Sequence, residues 1–353
     1  MMSTKTAHTP TAPSTTPRKS VLLRFRQAMD LQLVILVIAT VLLMGGFTAA
    51  SPMFFTADNL LNIANQNAST FIVAAAAGML LMAGYVDMSV GSVMALAGVC
   101  AAFASIEYGM IAGIVCAVLV GTLVGTLNGV LIGQIGMSPI VVTLGVLAAA
   151  RGLAQLLSPG SLYGLPVDLI GMGSGVFLGI PILVWIAGVI CAIFWFVSAR
   201  MPAGKHTLAV GANPRAAFLT GIPVKSFVMV LYIVVGISVG IAAIMQVARL
   251  GSAPSGTLGL GFEVAVLTAV LLGGVPFTGG RGSVIGVLIG VWLIAVLGNG
   301  LTLLNVPTEI SGIVTGVVLV LAAASSLSGF QRRRRRPRRV QLSARTAAVR
   351  VSK

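Results

Sequence analysis

Side chains that could carry out chemistry are scarce in this sequence. The chain of 353 residues contains 7 acidic residues, 2 histidines and 3 cysteines. The cysteines lie apart inside apolar stretches, and the histidines, His8 and His206, have no partner at the spacing of a zinc site. The sequence therefore predicts no catalytic residue, no metal site and no cofactor, so any enzymatic step must belong to another protein.

The glycine-rich stretch GGVPFTGGRGS, residues 273–283, is the segment most similar to a phosphate-binding loop. It lacks the Lys-Ser/Thr pair that ends such a loop, and it follows an apolar run. We therefore expect it to form a structural turn. The residues that we assign to this turn are Gly279, Gly280, Arg281 and Gly282.

A second glycine-rich turn, residues 83–98, resembles the first, because both enter a new apolar run through Gly-Ser-Val. Asp87 in this turn is expected to be the N-cap of the helix that follows. The similarity suggests a duplicated architecture of the kind found in transporters. The polar and glycine residues assigned to the second turn are Asp87, Ser89, Gly91 and Ser92.

Uncharged polar side chains inside the apolar runs have two possible roles. They can hydrogen-bond a neutral solute in a translocation path, or they can hold helices together. The sequence leaves both interpretations open. The candidates for the solute path are Asn65, Gln66, Asn67, Thr143, Gln246 and Asn299. Arg151 is the strong candidate for an ionisable group inside a span, so a proton- or sodium-coupled carrier is the weaker alternative.

The composition indicates the elements that position these residues. The chain is 57% hydrophobic and 8% charged, with a mean hydropathy of +1.06. Ten apolar runs recur at residues 31–50, 60–83, 90–107, 110–133, 140–158, 180–199, 227–248, 263–276, 284–301 and 309–329. A spanning helix needs about 20 apolar residues, whereas a membrane β-barrel shows alternation. The predicted fold is all-α, a polytopic membrane protein of about ten transmembrane helices.

The basic residues, which give a net charge of +15, gather at both ends and in a central segment. Such segments are typically cytoplasmic, and an even number of spans places both termini there. We predict a disordered tail over residues 1–30, a membrane domain over 31–330 and an Arg-rich tail over 331–353. The Arg-rich tail is expected to contact membrane lipid rather than nucleic acid. Cleavage of the first run as a signal peptide is an alternative.

The central polar segment, residues 200–226, separates two apolar runs and contains four of the basic residues and no acid. Asn213 and Pro214 are typical of a helix start, and Gly221 with Pro223 is typical of a helix end. A helix this short needs a surface to lie on. It is either a connector packed on its own bundle or a docking helix for a soluble partner.

Four separated stretches resemble ribose-type ABC permeases, the membrane subunits of bacterial monosaccharide importers. The stretches are residues 78–98, 138–157, 208–222 and 271–290, the last continuing to 297–307, and together they cover about residues 55–330. Tyr85, Val86 and Met88 depart from the family pattern around Asp87. The order of the stretches along the chain matches that of the family.

The resemblance implies a non-catalytic permease in the bacterial inner membrane. Its partners would be a cytoplasmic ABC ATPase, an extracytoplasmic solute-binding protein and a second permease subunit in a homodimer. The ATPase-coupling positions that it implies are Gly211, Asn213, Ala216, Ala217 and Gly221. Related permeases serve nucleosides, furanone signals and branched-chain amino acids, so these solutes remain alternatives to a sugar. A channel or scaffold without energy input is a further alternative.

Overall fold

The computed structural model describes residues 18–321 apart from 308, 311, 315 and 319, with side chains from residue 33 onward. This part is mostly helical. The helices are α1 (Arg18–Ala50), α2 (Ala57–Gln66), α3 (Ala68–Met82), α4 (Val90–Tyr108), α5 (Met110–Gly129), α6 (Pro139–Leu157), α7 (Val167–Ser174), α8 (Ile182–Arg200), α9 (Pro202–Ala212), α10 (Pro214–Leu219), α11 (Val224–Leu250), α12 (Phe262–Leu272) and α13 (Val284–Leu303). A π-helical segment, Val130–Gln134, continues α5, and further helical residues lie between 309 and 321.

Short antiparallel strand pairs join the ends of the helices. Strand β1 (Ser161–Leu162) pairs with β4 (Ala253–Pro254), and β2 (Val176–Phe177) pairs with β3 (Ile180–Pro181). Neither pair forms a sheet that could close into a barrel. The predicted all-α class is therefore confirmed.

Within the described residues, 7 helices are long and apolar enough to cross a membrane, and α3 and α12 are shorter apolar helices. Each of the first nine predicted runs contains one of these helices. The tenth run extends past residue 321, beyond the described residues. The chain is a multi-pass membrane protein, and about ten spans is an approximate count.

The helices differ in how much of their surface the bundle covers. In their spanning windows α4 is 72% buried and α11 is 61% buried, whereas α1 is 11% buried. Helices such as α1, α5 and α6 expose apolar side chains, because lipid tails are as apolar as the residues themselves. The core of the bundle is therefore built on α3, α4 and α11.

Helices α5 and α11 approach each other through glycine. A Cβ atom on Gly121 would collide with the carbonyl of Gly236, and one on Gly240 would collide with the carbonyl of Ala117. Gly125 also lies against the backbone of α11. Small residues at four-residue intervals permit this approach, which favours van der Waals packing in a bilayer. The glycines of α5 are therefore packing residues.

Two predicted elements differ from the observed ones. The second apolar run is broken at Asn67, which ends α2 and begins α3, because the side chain of Asn67 donates to the Ile63 carbonyl at 2.9 Å. The first helix already begins at Arg18, inside the segment predicted as a tail. The predicted Arg-rich tail and residues 1–17 lie outside the described residues.

Candidate functional site

The central polar segment folds as two consecutive helices, α9 and α10. The predicted short helix is confirmed as α10, with Asn213 as its N-cap. The Asn213 side chain accepts a hydrogen bond from the Ala216 backbone N–H at 3.0 Å. Pro214 occupies the first helical turn, where a missing N–H costs nothing. Helix α9 was not predicted, because its glycine, threonine and valine residues are weak helix formers.

The end of α10 is fixed by a Schellman motif. The Ile222 N–H donates to the Ala217 carbonyl at 3.2 Å, and the Gly221 N–H donates to the Phe218 carbonyl at 3.0 Å. Gly221 has a φ angle of +88°, which favours glycine. Ala217 and Ile222, which are both buried, form the apolar pair that accompanies this motif. The helix is therefore held at a defined orientation on the bundle.

The outer face of α10 is apolar. Phe218 and Leu219 expose 66% and 78% of their surface, although each is a large hydrophobic residue. Arg215 and Ala216 are also exposed. Large apolar side chains on a free face are typical of a surface that contacts lipid or another protein. Sequence reasoning missed Phe218 as a surface residue.

The five predicted coupling residues do not share one surface. Asn213, Ala216 and Gly221 are exposed, whereas Ala217 is buried against the chain itself and Gly211 is half-buried at the end of α9. If these residues act in coupling, Ala217 and Gly211 act from inside the bundle. Their coupling role stays a prediction.

The end of α9 meets the turn after α3 and the turn before α13 in a contact made of backbone. The Gly280 N–H donates to the Met82 carbonyl at 2.8 Å. A Cβ atom on Gly211 would collide with both partners of this hydrogen bond, and one on Gly279 would crowd Gly84. Gly279 and Gly280 have φ angles of +67° and +76°, which favour glycine. We call this contact the glycine junction.

The glycine junction connects α9 with the end of α3 and with the turn between α12 and α13. No flexible side chain separates the three backbones, so a displacement of α9 must displace the other two or break the contact. Gly282, in the turn between α12 and α13, has a φ angle of +136° and lies against Val275 of that turn and Met82 of α3. The half-buried Arg281 lies beside it.

Asp87 lies in the non-helical segment between α3 and α4, and the prediction that it is a helix N-cap is wrong. The N-cap of α4 is Ser89. Asp87 instead accepts from the Ser89 N–H at 2.8 Å and from its hydroxyl at 2.6 Å. The amide of the buried Asn128 donates to the Ser89 hydroxyl oxygen at 3.1 Å. These contacts hold the connection between α3 and α4 in place.

The two glycine turns are also less alike than their sequences indicate. Ser283 is the N-cap of α13 and accepts from the Gly286 N–H at 3.1 Å. Its counterpart at the start of α4 is Ser89, whereas Ser92 and Gly91 lie inside the helix. A Cβ atom on Gly91 would collide with Glu263 Oε2 and the Gly259 carbonyl. The shared Gly-Ser-Val sequence therefore does not mark the same structural position.

Most of the predicted solute-path residues hydrogen-bond to other residues of the chain, several of them within four positions. Asn299 and Asn59 exchange reciprocal amide hydrogen bonds of 3.0 Å, which join α13 to α2. Thr143 donates to the Pro139 carbonyl at 2.9 Å. Gln66 donates to Asn62 at 3.0 Å, and the Oδ1 atom of Asn65 is buried without a partner in the described part of the chain.

Gln246 differs from these residues, because it lines a cavity of about 320 Å³ between α4, α11 and the segment that precedes α12. Its Oε1 atom accepts from Arg249 Nε at 2.9 Å. Arg151 lies nearby as an anchor rather than an ion carrier, since it donates to the carbonyls of Ser255 and Leu258 at 3.1 and 2.8 Å. The structure thus brings one of the predicted path residues to a cavity.

Comparison with known proteins agrees with this architecture. Residues 59–323 match the family described as branched-chain amino acid transport system / permease component. The ribose import permease protein of Escherichia coli is 34% identical over 295 residues, which cover 81% of this chain and 90% of that protein. The chain belongs to the ribose-type family of ABC transporter permeases.

Two further relatives have comparable similarity. The D-allose transport system permease protein of Escherichia coli is 32% identical over 283 residues, covering 79% of this chain and 86% of that protein. The L-arabinose ABC transporter permease protein of Azospirillum brasilense is 32% identical over 290 residues, covering 82% and 84%. No solved structure was found to match the chain.

Its family identifies this permease as a membrane subunit of an ABC importer. It is a transport subunit rather than an enzyme, since a partner ATPase hydrolyses ATP. The family also implies a solute-binding protein as a partner.

Proposed function

We propose that this permease forms the membrane path through which a monosaccharide enters a bacterial cell, driven by ATP hydrolysis in a partner that docks on α10. The relatives named for ribose, D-allose and L-arabinose support a monosaccharide as the solute. The observation that carries the docking is the exposed Phe218–Leu219 pair, presented by a helix that is capped at both ends. We call this exposed pair the α10 surface.

The end of the bundle that carries α9 and α10 is the cytoplasmic end in this proposal. Arg200, Lys205, Arg215 and Lys225 gather there, whereas Arg249 lies at the opposite end of α11. Basic residues are enriched in cytoplasmic segments, so this asymmetry supports an orientation in the inner membrane with both termini inside. A soluble ATPase in the cytoplasm could then reach α10.

The glycine junction gives a route from the docked ATPase to the membrane helices. ATP binding would favour one position of α10, and the backbone contact of Gly211 with Met82 and Gly280 would pass that displacement to α3 and α12. The ATPase can shift the permease from one conformation to another only if it binds the two with different affinity. A second copy of the permease, paired as a homodimer, would complete the path.

Uptake by cells that produce the permease with its ATPase and binding protein tests the proposal. We expect accumulation of one of the three named sugars that stops when ATP is depleted and persists when the proton gradient alone is collapsed. Uptake that follows the proton gradient and needs no ATPase would contradict it. A variant of the ATPase unable to hydrolyse ATP serves as the control for passive entry.

A further inference from the structure

The cavity lined by Gln246 lies at the end of the bundle opposite α10. It is bounded by the last turns of α11, the first residues of α12, Met94 of α4 and the connecting segment 251–261. Its volume of about 320 Å³ falls within the range of roughly 300–1,000 Å³ that is typical of small-molecule sites. A site for one small solute therefore fits here.

The wall of this cavity is held in place before any solute arrives. Arg151 of α6 donates to two carbonyls of the segment, those of Ser255 and Leu258. The Ser255 hydroxyl donates to the Ser158 carbonyl, and Gly259 lies directly against Gly91 of α4. A preformed wall lowers the ordering cost of binding. This also explains why an arginine stands inside a span.

The polar groups of the cavity can bind hydroxyl groups. A guanidinium only donates hydrogen bonds, so Arg249 fixes the amide oxygen of Gln246 toward itself. The amide nitrogen of Gln246 is then available to donate to a ligand. Thr257 is exposed on the segment and adds a hydroxyl that can donate or accept. The remaining side-chain lining is largely apolar, with Met94, Leu250 and Phe262 among it.

The lining also selects against charge. Among the described residues, none that lines the cavity is acidic or basic. An amino acid would bring a carboxylate and an ammonium group, and each loses water on entering a lining without charge. The charged groups beside the wall, Arg249 bonded to Gln246 and Glu263 close to Gly91, do not line the cavity. A sugar presents hydroxyl groups at its edges and C–H groups on its faces, which match amide, hydroxyl and apolar walls.

We propose that this cavity binds a neutral polyhydroxylated solute on its way through the permease, with Gln246 and Thr257 as its hydrogen-bonding residues. The inference deepens the proposed function and rests on it. It separates a sugar from the branched-chain amino acids named in the family description. The position of Gln246, one of six predicted path residues, was not distinguishable from the others in the sequence.

Two substitutions in the complete importer test the site. Gln246→Leu removes both polar atoms of the amide. Gln246→Glu keeps the size and the contact with Arg249 but removes the N–H donor, so it guards against a variant that fails to fold. We expect either change to raise the KM for sugar uptake about tenfold, the effect of one lost hydrogen bond. Association with the ATPase should stay unchanged.

Gln155→Leu is the matched control, since Gln155 is exposed on α6 and does not line the cavity. Its uptake kinetics should equal those of the wild type. D-ribose, D-allose and L-arabinose are the probes, and a hundredfold excess of L-leucine should not compete with them. Wild-type kinetics in both Gln246 variants, or competition by L-leucine, would overturn the cavity assignment. Absence of ATP-driven uptake in the wild type would instead overturn the proposed function, and the inference with it.

Discussion

Removal of the α10 surface is the prediction whose magnitude follows most directly from the structure. Phe218 and Leu219 expose 66% and 78% of their surface. Full burial of such a side chain contributes about 1.5–3 kcal/mol, so burial of the exposed part in a partner contributes about 1–2 kcal/mol per residue. The double change Phe218→Ala and Leu219→Ala should weaken ATPase binding by about 2–4 kcal/mol, or roughly 30- to 1,000-fold in Kd.

The stability of the free permease should not change with this substitution. Both side chains lie on the free face of α10, and surface changes of this kind usually shift the free energy of unfolding by less than about 0.5 kcal/mol. The assay is equilibrium binding of the detergent-purified permease to its ATPase subunit, with thermal unfolding of the permease measured alongside. Binding should fall while the unfolding temperature stays constant.

A matched control lies between α1 and α2. Met53 and Phe55 expose 64% and 61% of their surface, and they lie at the opposite end of the bundle from α10. The double change Met53→Ala and Phe55→Ala removes a similar apolar area and should leave ATPase binding unaltered. Equal loss of binding in both double variants, or wild-type binding without the α10 surface, would refute the docking argument.

Three further changes test other contacts. Gly211→Val should place methyl groups against the Met82 carbonyl and abolish at least nine-tenths of uptake while ATPase binding persists. A tenfold loss of uptake rate corresponds to roughly 1.4 kcal/mol. Gly145→Val is the control, because no atom lies within 4 Å of a Cβ added there. Gly236→Val should drive α5 from α11 and cost about 1–3 kcal/mol of stability, measured by thermal unfolding, and an unchanged unfolding temperature would contradict the close packing. Asn299→Leu should destabilise the bundle by about 0.6 kcal/mol, and a double-mutant cycle with Asn59→Leu should show coupling between the two. Additive effects would contradict the reciprocal pair.

The sequence predicts the spans well because a bilayer imposes a length and a composition on any helix that crosses it. Each predicted run that falls inside the described residues contains a helix. The short α10 was also predictable, since Asn213 and Gly221 act through their own local backbone. Local rules therefore located the segment that we assign to docking.

The contacts that fix the turns were not predictable, because they join parts of the chain that are distant in sequence. Asp87 accepts from Ser89, which in turn contacts Asn128 on α5. The glycine junction needs Gly211 and Gly280 to meet, and neither position indicates the other in the sequence. The glycine repeat of α5 was visible, but its partner Gly236 was not.

The roles of the polar residues inside the apolar runs were also not predictable from the sequence. Asn299 and Gln246 look equivalent in the sequence, since each is an amide inside an apolar run. The structure separates them: Asn299 is satisfied by Asn59, whereas Gln246 lines a cavity. Whether an amide holds helices together or contacts a solute depends on what lies opposite, and hydropathy does not carry that information.

ATPase activity of the reconstituted importer tests the central claim most directly. The permease would be placed in lipid vesicles with its ATPase and its binding protein, and ATP hydrolysis would be measured with and without D-ribose, D-allose or L-arabinose. The account predicts that one sugar-loaded binding protein stimulates hydrolysis and that the sugar crosses the membrane with the same dependence on ATP. Hydrolysis that ignores every loaded binding protein, together with sugar entry in the absence of ATP, would contradict it.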